Sequence, residues 1–149
     1  MESKRDNMSL GCAGLLEGTG ANTFKITNTV NVLIAGRSYQ KPATDSLPFT
    51  AGHTSLAAKQ TCAFFVHIDT ALAVTTTQSA IVSNSQAQGY VKGAWEWPAE
   101  VAGKACIGAI VVDCQNAAVF VPNTTDLGAT DVVDTYHNVA HDYGVPIGY

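Results

Sequence analysis

Residues 61–69, TCAFFVHID, constrain this chain more than any other stretch. Cys62, Ala63, Phe64, Phe65, Val66 and Ile68 leave no polar face along the run, so it has to be covered on both sides. Threonine, two phenylalanines and valine favour an extended backbone over a helix, and Asp69-Thr70 ends the run. The expectation is a central strand, the most buried of its sheet.

Its partners can be read nearby. Val30, Val32 and Ile34 alternate with Asn31, Leu33 and Ala35, the period of a half-buried strand. Ala35-Gly36 permits a tight reversal into the polar return strand of residues 37–41, which Pro42 ends or leaves at an edge. Residues 23–28 form a short strand, and residues 42–60 read as turn and loop with one helical turn at most over 55–60. Residues 73–77 pair back on the central run. A second strongly apolar strand covers 105–113, returns over 118–121, and a last strand covers 132–139. Short strands joined by Gly, Pro and Asn turns predict an all-β fold, a small antiparallel β-sandwich or barrel.

The domain division follows. Residues 1–22 carry Gly11, Gly14, Gly18 and Gly20, too many for a helix, and read as a flexible N-terminal arm with Leu10, Leu15 and Leu16 as apolar anchors. Residues 23–142 are a single β domain, with an exposed excursion over 79–98. Residues 143–149 form an extended C-terminal tail with anchors Val145, Ile147 and Tyr149. Trp95 and Trp97, two apart in an extended segment before Pro98, put both indoles on one face, as a lid on the sheet or as an interface pair.

Composition narrows the function classes. Charged residues make up 13%, about half the usual share. So uncharged a surface fits burial against partners, or a Thr/Ser/Asn-rich surface. The net charge is −4 with no basic cluster, which argues against nucleic acid. No apolar run reaches the roughly 20 residues of a membrane span, so no membrane is expected. The N-terminal residues lack the apolar core of a secretory signal. Cys12, Cys62, Cys106 and Cys114 form no C-x-x-C pair and read as free thiols, two of them in the core.

Chemistry is poorly supported. His137 and His141 lie four apart, but no Glu follows the first histidine, and a strand would set them about 13 Å apart. Asp134 and Asp142 could add oxygen ligands. Asp45, His53 and Ser55 could be imagined as a triad, yet no nucleophile elbow surrounds Ser55. His67 reads as a hydrogen-bonded sheet residue. Asn123-Thr124-Thr125 matches a glycosylation sequon but reads as a turn. No catalytic, cofactor or metal residue is assigned, and no enzyme is expected.

Several stretches resemble a family of small phage virion proteins of the head-decoration or capsid-cement kind. They are I-x-G-x-x-Y-x-K-x-A-T-D from Ile34, F-x-A-G-H-T-x-L-A-A-x-Q from Phe49 with the apolar strand after it, I-G-A-I-V-V from Ile107, and F-V-P-N-T-T-D-L-G-A-T from Phe120. The resemblance implies a structural protein on the outer face of a capsid, made in a bacterial cytoplasm. It implies the major capsid protein and further copies of the chain as partners, with a homotrimer expected. The candidate interface is then Leu10, Leu15, Leu16, Trp95, Trp97, Val145, Ile147 and Tyr149. A receptor-binding or fibre-tip module is the alternative, using the 79–98 excursion and the tryptophan pair.

Overall fold

A computed structural model describes residues 7–83, 98–99 and 101–139. Among them there is no helix, and eleven strands form three antiparallel sheets. The strands are β1 (Met8–Ser9), β2 (Leu15–Glu17), β3 (Phe24–Ile26), β4 (Val30–Ile34), β5 (Arg37–Lys41), β6 (Thr44–Leu47), β7 (Gln60–Asp69), β8 (Val74–Gln78), β9 (Val82–Ser83), β10 (Lys104–Cys114) and β11 (Val132–Asn138). The largest sheet has the order β11-β10-β7-β8, with β9 beside the start of β7. Two three-stranded sheets, β1-β4-β5 and β2-β3-β6, complete the body. The arrangement is compatible with a small sandwich and does not close into a barrel.

The central run is β7, paired on both sides and buried from Thr61 to Ile68. Cys62, Phe64, Val66 and Ile68 enter the main core with Val30, Val32 and Ile34 of β4 and with Leu15, Phe24 and Ile26 of β2 and β3. Ala63 and Phe65 face the other way, with Cys106 and Ala109 of β10. A strand flanked by two apolar layers needs no polar face, as the sequence required.

In β10 both odd and even positions reach the main core: Ala105 and Ile107, then Ile110, Val112 and Cys114. A bulge between Cys106 and Gly108 changes the parity. Gly108 is needed there, because a Cβ would strike the His137 carbonyl and the Leu15 side chain.

The β4–β5 hairpin turns through Ala35 at φ 50° and Gly36 at φ 76°, the left-handed pair that a two-residue reversal demands. Asn7 Oδ1 accepts the Ala35 N–H at 2.8 Å, and its Nδ2 donates to the Val101 carbonyl at 3.0 Å.

Four expectations are corrected. Residues 7–22 are not a free arm: β1 pairs with β4, β2 pairs with β3, and Leu15 is 1% exposed in the core. Their glycines are corners between short strands, as at Gly14, whose carbonyl accepts the Thr27 N–H at 3.2 Å. Residues 44–47 form β6 on β3, a polar strand that hydrophobic periodicity hides. The return over 118–121 shrinks to a single bridge between Phe120 and Leu56. Residues 79–83 belong to the body, since Ser79 N–H bonds the Ala63 carbonyl at 2.8 Å and β9 pairs with β7. Residues 84–97 of the excursion, with Trp95 and Trp97, lie outside the described residues, as does the tail with Val145, Ile147 and Tyr149.

Candidate functional site

Two of the stretches that prompted the family resemblance, the one from Phe49 with the strand after it and the one from Phe120, meet in one place. Phe49 packs on Phe24, Phe64 and Phe120 with ring centroids 5.3, 4.9 and 6.0 Å apart. Asn123, held at φ 64°, clamps this segment: its Oδ1 accepts the Phe49 N–H at 2.7 Å and its Nδ2 donates to the Phe49 carbonyl at 2.8 Å. Asn22 Nδ2 donates to the Asn123 carbonyl at 2.5 Å. With both amide atoms engaged, Asn123 acts as a side-chain strand partner, and the sequon is a turn.

The imagined triad does not assemble. Both Asp45 oxygens are taken by Thr19, one by its N–H at 2.9 Å and the other by its hydroxyl. These bonds hold the Asp45 carboxyl below its usual range. His53 Nε2 pairs with Thr76 Oγ1 at 2.8 Å and its ring leans on Phe64, centroids 5.3 Å apart. Burial lowers the pKa of His53.

His67 is 2% exposed in β7. Nε2 meets Thr77 Oγ1 at 3.2 Å, while Nδ1 is buried without a hydrogen-bond partner. Burial, helped by the charge of Lys104, pulls its pKa down to about 4. It is a neutral imidazole of the sheet.

Of the histidine pair only His137 lies within the described residues, half-buried on β11; His141 does not. Among the described residues no group of three His, Cys, Asp or Glu side chains could hold a metal ion. Glu17 lies near Asp126 and Asp134, and its pKa is raised by burial first and by those two carboxylates next, with Lys25 opposing. Tyr136 donates to Asp134 Oδ2 at 2.5 Å; burial first, then Asp134, keeps the phenol protonated far above its ordinary range. No disulfide joins the four cysteines among the described residues. Burial raises the thiols of Cys62 and Cys106 to about 12, which makes them poor nucleophiles.

The surface is more informative than the interior. Leu10 and Leu16 are 47% and 50% exposed, whereas Leu15 is 1% exposed and belongs to the core. The pair Val119 and Val121, on either side of the Phe120 bridge, is also exposed.

The sheet edges differ in how they are closed. The edge of β8 is lined by residues 50–54: Thr76 N–H donates to Thr50 Oγ1, Thr50 N–H to Thr76 Oγ1, and Gln78 bonds both main-chain groups of Thr54. The edge of β11 faces β2, and Asn138 Oδ1 accepts the Leu15 N–H across the gap at 2.8 Å. The outer strands β1 and β2 have two and three residues. β5 is different. Its pairing with β4 uses Arg37, Tyr39 and Lys41, so the N–H and C=O groups of Ser38 and Gln40 point outward, and none finds a partner among the described residues. No hydrophobic pattern marks this edge in the sequence; the hairpin turn and the parity of the strand after it are the signal that could have found it.

No helix among the described residues is long and apolar enough to cross a membrane. No family model, no curated protein and no solved structure matches this chain.

Proposed function

We propose that this chain is a structural protein of a phage virion that decorates or cements the capsid, acting as a rigid body laid against neighbouring capsid subunits. The observation that carries the reading is where the family-like stretches go. Phe49, His53, Leu56, Phe120 and Asn123 are all engaged in packing and clamps, which is what a rigid building block needs. The low share of charged residues and the exposed Leu10, Leu16, Val119 and Val121 support burial against a partner. Repetition over a symmetric shell would make individually weak contacts sufficient. Self-association into a trimer belongs to the same proposal.

The test is to mix the full-length protein with undecorated capsids of the phage that encodes it and to follow co-sedimentation and a capsid reconstruction. Saturable density on the outer face is expected. No binding, or immunogold label confined to a few copies at the tail, would overturn the proposal and favour a receptor-binding role.

A further inference from the structure

We propose that the open edge of β5 is a docking site for an extended, acidic segment of a partner protein, which adds to the sheet as a further strand. The argument starts from the main chain. Ser38 and Gln40 each present an unpaired N–H and C=O to the edge, enough for four hydrogen bonds to an added antiparallel strand. Among the described residues the edges of β8 and β11 are met by side chains, β1, β2 and β9 have two or three residues, and β6 is broken by a register shift with Ser46 at φ 55°, so β5 is the regular edge that an added strand can follow.

The chemistry of the added strand follows from the side chains. Arg37 and Lys41 lie four apart on one face of β5, on either side of Tyr39, which packs on the core. Neither cation makes a hydrogen bond or an ion pair among the described residues. Against an added strand these three residues occupy the non-hydrogen-bonded positions, where facing side chains come closest. Two carboxylates four residues apart on that strand would face both cations, about 13 Å apart. The same pair disfavours a second copy of this chain. Antiparallel self-pairing centred on Tyr39 sets Arg37 opposite the Lys41 of the other copy, and like charges directly opposite repel. Repulsion of self and attraction of an acidic strand give the edge its specificity.

The inference deepens the capsid reading but can fail separately from it. The probe is a capped nine-residue peptide of alternating threonine and valine, with glutamates replacing threonine at its third and seventh positions. Saturable binding by calorimetry is expected, weakened by added salt. Ser38→Pro removes one outward donor while sparing the pairing with β4, the setting in which an edge strand accepts proline. That variant should keep its melting temperature and lose most of the binding. Arg37→Glu with Lys41→Glu should weaken binding about tenfold and confer binding to the lysine version of the peptide. Absence of binding to the wild type, or equal binding by wild type and both variants, would overturn the inference. On capsids, full decoration by Ser38→Pro would remove the edge from the contact and leave the capsid reading intact. Peptide binding without any capsid binding would do the reverse.

Discussion

At the scale of single residues, the buried polar groups set how stability responds to pH. His67 is neutral in the folded chain: among the described residues its Nδ1 has no partner, and burial and the charge of Lys104 both disfavour the imidazolium. Its folded pKa of about 4 lies below the 6.5 of an unfolded histidine. The unfolded state therefore takes up the proton first. The stability associated with a neutral His67 is intact above pH 6.5 and is lost as the pH falls toward 4, a change on the order of 3 kcal/mol. Urea midpoints measured from pH 7 to pH 4 should fall for the wild type and fall less for His67→Gln. Parallel pH profiles for the two proteins would show that His67 does not control acid stability. The sequence placed His67 in a sheet but not its buried, half-satisfied state, because the cover on its face comes from residues distant in sequence.

At the scale of elements, legibility followed hydrophobic contrast. β4, β7 and β10 were readable because their apolar patterns are strong, and the hairpin between β4 and β5 because Gly36 and Pro42 punctuate it. β6 was missed because Thr44, Asp45 and Ser46 carry no period, and it is held instead by the Thr19–Asp45 bonds and by pairing with β3. β2 was missed because glycines on both sides resemble an unstructured terminus. The bulge of β10 could not be read, since it depends on how Gly108 meets His137 and Leu15, far away in sequence. The β4–β5 turn yields a prediction. Ala35 adopts a left-handed conformation that asparagine tolerates better. Ala35→Asn keeps the N–H that Asn7 receives and should raise stability by about 1 kcal/mol in denaturant titration. A loss of stability would mean that the turn is held by contacts stronger than its backbone preference.

At the scale of the whole molecule, three sheets share one core and depend on one another. Leu15 of β2, Phe24 of β3, Val32 of β4 and Phe64 of β7 belong to a single apolar cluster, so no sheet is expected to survive alone. Deleting residues 1–20 removes β1, β2 and Leu15 together, and a folded β body should not remain. Near-ultraviolet circular dichroism should lose its fine structure, and thermal unfolding should lose cooperativity. A truncated protein that melts cooperatively at the wild-type temperature would show that these strands are accessory. Surface exposure was not legible in the sequence: Leu15 and Leu16 are neighbours, yet one is core and the other exposed, and the open edge of β5 emerges only once its hairpin is folded.

The central position of β7 also bears on how the chain is made. Its ten residues leave the ribosome well before Lys104, the first residue of its neighbour β10, and β11 follows later still. At about 5–20 residues per second, the apolar ribbon waits a few seconds with one long side unpaired. Such a ribbon is a template for joining the same ribbon on another nascent chain. Yield in the cell should therefore depend on translation speed, temperature and chaperone supply more than on the stability of the finished protein. Slower, cooler expression is the condition that favours soluble material.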